Sequence, residues 1–374
     1  MKTAIVHDWL YSITGAEKVL EAIYQMYPSK VHTLIKNTNN LKNFSIPDHE
    51  IITSFIQNLP FAKTKYPYYL PLFPFAIENF NLGDADLIIS SSSCVAKGIL
   101  THSDQLHICY CHTPMRYIWD LYFEYLELNK LNKGIKGILT KVLLHKVRNW
   151  DLLHAARVDH FIANSKNVAK RIEKIYQRKA EVIYPPVDCS YFKLEKNQSQ
   201  EFYVTAARLV HYKRVDLIVK AFAHLKHKKL IVIGEGPELN TLKSFATKNV
   251  EFTGYTTKEE LREYFHSAKA FIYMAYEDFG IFPVEAQAAG LPVIAYGKGG
   301  VLETVLENKT GVFFEEQTTE SLIKAIKSFE KAEDTFDKVV IQAHAQTFSQ
   351  DVFTKNFKQF VKNKYEKFIE GRNR

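Results

Sequence analysis

Cysteine is scarce. The 374 residues hold four, Cys94, Cys109, Cys111 and Cys189, too few to staple a chain of this length with disulfides. Cys109 and Cys111 are separated by one residue, so they do not form a Cys-x-x-Cys redox or zinc pair, and the expectation is reduced, buried thiols. Long apolar runs are missing as well. No uncharged run approaches the roughly 20 apolar residues of a spanning helix, and the aromatic stretch 68–75 is short and broken by Pro71 and Pro74. The apolar run that opens the chain is too short for a secretory leader and ends at Asp8. The expectation is therefore a cytoplasmic chain that does not span a membrane, although it can lie on one. There is no full Gly-x-Gly-x-x-Gly fingerprint and no phosphate-loop lysine motif, so nothing recommends a nicotinamide cofactor or a Walker-type nucleotide site. Internal repeats and low-complexity segments are absent too.

What is present is core-forming. Hydrophobic residues at 46% and charged residues at 24% exclude a disordered chain, and the length suits two domains. The 21 Tyr and 26 Phe supply material for two cores and for stacking surfaces. A net charge of +8 fits an anionic partner without choosing one. The basic residues do not interleave with a stacking platform, so nucleic acid is not expected among the partners.

Short β-branched runs alternate with helical patterns, which predicts an α/β fold with doubly wound parallel sheets. Strands are expected at 2–7, 31–35, 86–90, 106–111 and 160–163, with a helix over 16–27. The second half predicts strands at 202–206, 230–233, 250–252, 270–274 and 292–295, with helices at 214–225, 238–246, 258–265 and 283–289. A boundary is expected at Tyr184-Pro185-Pro186-Val187-Asp188 and the polar stretch 195–200, because paired prolines stiffen the connection and a polar run builds no core. This gives domains at 1–190 and 191–350. The tail 351–374 is amphipathic, with Phe353, Phe357, Phe360, Val361 and Tyr365 on one stripe.

Ligands of such sheets bind at the carboxyl ends of the strands, and four stretches fall there. Glu277-Asp278-Phe279-Gly280-Ile281-Phe282-Pro283-Val284-Glu285 links a strand through Gly280 to a helix whose free N–H groups and dipole favour phosphate. Glu277 and Glu285 suit hydrogen bonds to vicinal sugar hydroxyls; alternatively they are a surface acid and a helix-face acid. Arg208 and Lys213, after the strand at 202–206, can neutralise a pyrophosphate, or are solvated loop cations. His112, in Cys109-Tyr110-Cys111-His112-Thr113-Pro114-Met115-Arg116-Tyr117, can bond a sugar hydroxyl or handle a proton, or is structural. Gly15, in Thr14-Gly15-Ala16-Glu17-Lys18, can bring backbone close to a phosphate.

Two further patterns point elsewhere. Asp84-Ala85-Asp86 has the form of a cation site but precedes an apolar strand, which reads as a turn. The segment 130–148 carries Lys130, Lys133, Lys136, Lys141, Lys146 and Arg148 and no acid, with Leu131, Ile135, Ile138, Leu139 and Val142 at helical spacing. That composition fits an interfacial basic helix, or an ordinary helix packed on the sheet, and Gly134 and Gly137 weaken a helix there.

Together these stretches resemble glycosyltransferase family 4 over essentially the whole chain, from His7-Asp8-Trp9 onward. The bacterial mannosyltransferase-like branch of O-antigen, capsule or exopolysaccharide synthesis is similar in 90–98 (SSSSCVAKG), 107–117 (HICYCHTPMRY) and 157–165 (RVDHFIANS). The resemblance implies a GT-B fold, two facing Rossmann-like domains with a C-terminal helix crossing back to the N-terminal domain. It implies a retaining, metal-independent hexosyltransferase with no cofactor, moving a sugar, mannose from GDP-mannose first, to a lipid-linked glycan at the cytoplasmic membrane face. Glu285 would bind the nucleotide ribose, while Glu277 and the backbone of Phe279, Gly280, Ile281 and Phe282 would hold the sugar. Arg208 and Lys213 would take the pyrophosphate, and Gly15 would reach it from the other domain. His112 would lie under the sugar; Gly234 and Tyr255 would line the base. Asp8, Arg116 and Tyr117 are expected on the acceptor side, and Lys130, Lys133, Lys136 and Lys141 at an anionic membrane surface. Family members often carry Gly-Gly where this chain has Thr14-Gly15. A family 4 transferase using a UDP-sugar or another GDP-sugar remains an alternative, as does another enzyme on the same fold (an epimerase or a phosphorylase). A non-catalytic glycan- or nucleic-acid-binding protein is the alternative of another class.

Overall fold

The computed structural model describes residues 1–41, 44–194 and 201–372. It divides into two compact units. One is Met1–Pro185 together with the chain from Phe353 onward, and the other is Pro186–Val352. The division falls within the Tyr184–Asp188 segment. The polar stretch 195–200 expected beside it lies outside the described residues.

Among the described residues, the first unit holds seven parallel strands. These are β1 (Thr3–His7), β2 (Val31–Thr33), β3 (Ile51–Thr53), β4 (Leu87–Ser92), β5 (Leu106–Cys111), β6 (His160–Ala163) and β7 (Ala180–Val182), in the order β3-β2-β1-β4-β5-β6-β7. The second unit holds β8 (Phe202–Ala206), β9 (Lys229–Ile233), β10 (Val250–Gly254), β11 (Ala270–Tyr273), β12 (Val293–Tyr296) and β13 (Gly311–Phe314), in the order β10-β9-β8-β11-β12-β13. Both are Rossmann-like. Central strands such as β4, β5, β8 and β11 are buried along their whole length, which is why they read as unbroken apolar or small-residue runs rather than alternating ones.

Helices cover the sheets through local signals. The helix Gly15–Met26 opens where the Glu17 carboxylate accepts the Thr14 N–H at 2.8 Å. It buries Val19, Leu20, Ala22 and Ile23 against β1 and β4, at about 1.5–3 kcal/mol for each large side chain. The C-terminal helix Gln350–Arg372 presents Phe353, Phe357, Phe360 and Val361 at i, i+4, i+7, i+8 to that same core. Phe353 meets Tyr110 of β5 edge-on at 6.0 Å, and Phe357 lies beside Tyr27.

The basic segment separates the two readings offered for it. A helix does form, over Gly134–Ala155, but the residues it buries are Gly137, Leu144, Val147, Asp151, His154 and Ala155. Ile135, Ile138, Leu139 and Val142 face solvent, at 78, 62, 65 and 51% exposure. The reading of this stretch as a helix packed on the sheet is therefore wrong for its first half. A Cβ on Gly137 would stand 2.7 Å from the Leu131 carbonyl oxygen, so glycine makes room for that turn. Asp84-Ala85-Asp86 precedes β4, and Asp86 accepts the Lys2 N–H at 2.7 Å, so both carboxylates sit at the opposite end of the sheet from the strand carboxyl ends.

Candidate functional site

In an open parallel sheet the loops diverge where the strand order reverses, leaving a crevice at the carboxyl ends. In the second unit this point lies between β8 and β11, since β8 pairs with β9 on one side and β11 on the other. After β8 the chain carries Arg208, a 3-10 turn at His211–Lys213 and Arg214 at φ 54°, then the helix Val215–His224. After β11 it carries Glu277, then Gly280 at φ 85° and the helix Ile281–Ala288. The Lys213 ammonium and the Glu277 carboxylate pair across the switch point. The Tyr273 hydroxyl, at the end of β11, donates to that same carboxylate. Burial, then the Glu277 charge, push the Tyr273 hydroxyl well above its usual range, so it stays a protonated donor at neutral pH. The Glu277 carbonyl accepts the Gly300 N–H at 2.9 Å, which pins the loop from β12.

Around this pair the neighbouring loops close up. Leu209 N–H donates to the Glu235 carbonyl at 2.8 Å, and Ala207 N–H to the Ile233 carbonyl at 3.1 Å. Gly234 sits at φ 125°, and a Cβ there would stand 2.0 Å from the Ala207 oxygen, so only glycine lets the two loops lie together. The Glu235 carboxylate faces the N–H of Tyr255 at 3.4 Å, on a residue that is 78% exposed. Arg208 is exposed, and among the described residues no carboxylate is recorded within ion-pair distance of it.

The second unit thus gathers Arg208, Lys213, Gly234, Tyr255, Glu277 and the start of the helix Ile281–Ala288 at one end of its sheet. The first-turn N–H groups of that helix, those of Ile281 and Phe282, have no intrahelical partner. Two cations beside such N–H groups suit a diphosphate. Phe279 differs in kind: its ring is buried and packs edge-on against Phe348 at 5.7 Å, so it offers backbone only. Glu285 is 3% exposed, and the Cys189 thiol is pushed up to about 12 by burial, then by the charges of Glu285 and Asp188. Glu285 therefore lies deep, beside Cys189.

The first unit has its own switch point, between β1 and β4. There His7 Nδ1 lies 3.1 Å from Ser91 Oγ, and Ser91 Oγ lies 2.8 Å from His112 Nε2. Behind them Glu17 Oε1 is 3.7 Å from His7 Nε2, and Glu17 Oε2 accepts from Thr14. Burial holds the His112 imidazole at about 3, with His7 adding to the fall and Glu17 opposing it, so the ring is neutral at physiological pH. Gly15 opens the helix beside this cluster. Asp8 is 2% exposed, and its carboxylate accepts the N–H groups of Ser93, Cys94 and Ala96 at 2.6, 2.9 and 2.7 Å. Its visible work is to shape the loop after β4. Tyr117 places its hydroxyl 3.0 Å from Cys94 Sγ. Arg116 and Tyr117 are both partly exposed on the loop after β5.

Sequence reasoning did not single out His7, Glu17 and Ser91 in the first unit, nor Tyr273 and Gly299-Gly300 in the second. The glycine pair had a usable signal, Gly297-Lys298-Gly299-Gly300 directly after a predicted strand. Tyr273 had none, being one aromatic in a buried strand.

Two family models match the chain. Residues 15–191 match the model described as Glycosyltransferase Family 4, and residues 189–346 that described as Glycosyl transferases group 1. A GDP-mannose-dependent alpha-(1-6)-phosphatidylinositol monomannoside mannosyltransferase of Mycobacterium tuberculosis is 34% identical over 140 residues, 33% of this chain and 36% of that protein. The alpha-1,3/1,6-mannosyltransferase ALG2 of Saccharomyces cerevisiae is 27% identical over 52% of this chain and 47% of its own length. The matches thus span about a third to a half of these relatives. Among solved structures, Anabaena Alr3699/HepE in complex with UDP aligns with a TM-score of 0.72 at 17% identity, over 97% of this chain and 100% of that one. The sucrose-phosphate synthase of Thermosynechococcus elongatus aligns at 0.75 and 16%, over 98% and 100%. At those identities the likeness concerns the fold, and both folds are GT-B.

Proposed function

This chain belongs to glycosyltransferase family 4, and on that premise we propose that it transfers mannose from GDP-mannose to a hydroxyl of a lipid-linked glycan, with the anomeric configuration retained and no metal required. The observation that carries the reading is the Lys213–Glu277 pair across the β8/β11 switch point, with Arg208 exposed beside it. The mycobacterial relative's use of GDP-mannose supports that donor.

In this reading Arg208 and Lys213 neutralise the departing diphosphate, helped by the N–H groups that open the helix Ile281–Ala288. Glu277, fixed by Lys213 and Tyr273, accepts from the sugar hydroxyls. Glu285 takes the ribose, and Gly234 and Tyr255 border the base. Attack on the same face of the sugar, with the leaving phosphate taking the acceptor's proton, is the course that the family suggests. Calorimetry with GDP, GDP-mannose, UDP and UDP-glucose, in EDTA, tests this. The expected result is tight binding of the two guanosine ligands, lost in Arg208→Ala. A preference for UDP ligands keeps the family and overturns the donor. Absence of all binding, even with metal restored, overturns the donor site.

The exposed start of the helix Gly134–Ala155 supports a place at the membrane. Its outward Ile135, Ile138, Leu139 and Val142 alternate with exposed Lys133, Lys136 and Lys141, close in sequence to exposed Lys130 and to Phe123 at 82% exposure. Apolar side chains among lysines fit an anionic lipid surface, and among the described residues no helix is long and apolar enough to cross one. Each such lysine contributes about 1 kcal/mol. Replacing Lys130, Lys133, Lys136 and Lys141 with Glu is therefore expected to weaken binding to phosphatidylserine liposomes by at least about 100-fold, with GDP binding unchanged. Unaltered liposome binding would remove the membrane reading.

A further inference from the structure

We propose that a cleft at the amino ends of β1, β2 and β4 is a second ligand site, which takes a neutral hydroxyl-bearing ring such as a hexose and seats one of its hydroxyls on His32 Nε2. The cleft lies within the first unit, at the end of the sheet opposite its switch point, and shares no residue with the donor or acceptor readings.

The cleft measures about 780 Å³, within the roughly 300–1,000 Å³ that holds small molecules. It is lined by the start of β1, by Tyr27 after the helix Gly15–Met26, by His32 and Ile52, and by the turn 83–85. Size alone recommends no ligand; His32 does. Its side chain is buried, at 7% exposure. Its Nδ1 lies 3.4 Å from the Ile5 carbonyl oxygen, and a carbonyl only accepts, so Nδ1 carries the proton. Burial lowers the pKa of the ring, with the Ile5 contact opposing, so the imidazole is neutral at physiological pH and Nε2 is a lone pair. Phe80 packs on the ring in a T-shaped contact at 5.2 Å, which holds its plane. Among the described residues Nε2 has no hydrogen-bond partner, and it is not sealed from solvent, so it opens on the cleft that His32 lines.

The rest of the lining decides the class of ligand. A lone pair calls for a donor; a carboxylate, which only accepts, would set lone pair against lone pair. The charges at the rim are matched already. Lys2 Nζ lies 3.8 Å from the Asp84 carboxylate, and Lys30 Nζ lies 3.4 Å from that of Glu50 while donating to the His49 carbonyl at 3.1 Å. Neither an anion nor a cation therefore finds an uncompensated charge there. Apolar surface is on offer instead. Ile52, the register partner of His32 on β3, keeps 39% of its surface exposed, and Tyr27 is half-buried. Burial raises the Tyr27 hydroxyl, so it stays protonated and offers a second hydrogen bond. A ring with C–H faces and outward hydroxyls satisfies all of these: C–H against Ile52 and Tyr27, O–H to Nε2.

The test is nitrogen-15 NMR of the histidine rings in the full chain, titrated with mannose, glucosamine and glucose 6-phosphate, each to about 50 mM, well above a millimolar Kd. The His32 resonances are those missing from His32→Phe, which keeps a ring against Phe80. The expected result is a bare Nε2 at His32 in the free protein and a saturating movement of its resonance with mannose. Ile52→Glu, a change at an exposed position of an edge strand, should weaken that response at least about 10-fold by putting a charge where the C–H face rests. The unmoved resonances of the other histidines in this variant report that the fold is kept. A proton on Nε2 in the free protein, a His32 resonance unmoved by mannose, or a response unchanged in Ile52→Glu overturns the site. A response to glucosamine or glucose 6-phosphate at lower concentration than to mannose overturns the neutral class.

Discussion

Lys213→Ala is expected to lower turnover by about 100- to 1000-fold, the loss seen when one pre-placed group that stabilises developing charge is removed. The diphosphate gains charge as the glycosidic bond breaks, and the Lys213 ammonium is already fixed at the switch point by Glu277 before any ligand arrives. That pre-placement is what makes the residue worth more than an ordinary surface lysine. Arg208, exposed and with no such tether among the described residues, should hold the ground-state diphosphate as firmly as the leaving one, so Arg208→Ala is expected to show mainly in affinity. Glu277→Gln should also cost turnover, because it weakens the hold on Lys213 as well as on the sugar. The double variant Lys213→Ala/Glu277→Gln should then lose less than the two singles combined, since each single already disrupts the same pair. The measurement is nucleotide release from the donor with a membrane-lipid acceptor fraction. A Lys213→Ala turnover within threefold of wild type, or strictly additive losses, would refute the coupled role.

This pair also marks the limit of what the chain betrays in one dimension. Glu277 and Glu285 are legible because a strand, a glycine and a helix start stand together within a dozen residues. Arg208 and Lys213 are legible for the same local reason. That Lys213 touches Glu277 is not, because it requires β8 and β11 to be neighbours, a consequence of sheet order rather than of either segment. The cluster in the first unit is more dispersed still: His7 ends β1, Glu17 sits in a helix, Ser91 near the end of β4 and His112 after β5, and a lone histidine has no pattern to betray it. The helix Gly134–Ala155 stands between two readings for a different reason. A 3.6-residue period says that one face is apolar but not that this face is turned inward. Here the core is satisfied by Leu144 and Val147 farther along, and the first apolar stripe stays in solvent.

Asp151→Asn should destabilise the first unit by about 3–5 kcal/mol, the cost of leaving a buried charge without its partner. Lys97 is 1% exposed and Asp151 fully buried, and the two form an ion pair. Lys97 Nζ also donates to the Cys94 carbonyl at 2.7 Å, in the loop that Asp8 shapes. The other Asp151 oxygen accepts from Trp119 Nε1 at 2.8 Å and from the Tyr176 hydroxyl at 2.9 Å. One carboxylate thus joins the helix Gly134–Ala155, the helix Lys166–Tyr176 and the loops after β4 and β5. Neutralising it strands the ammonium. Lys97→Met should cost less, since Asp151 keeps two neutral donors around its charge. The double variant Lys97→Met/Asp151→Asn should recover most of the loss, because a neutral amide still accepts from Trp119 or Tyr176 and no charge remains buried. At about 2–4 °C per kcal/mol for a unit of this size, thermal unfolding will resolve the three variants. A melting temperature for Asp151→Asn within 2 °C of wild type would mean that water reaches Lys97 and that the pair is not buried as described; a double variant no better than Asp151→Asn would mean that the lost hydrogen bonds, rather than the stranded charge, set the cost.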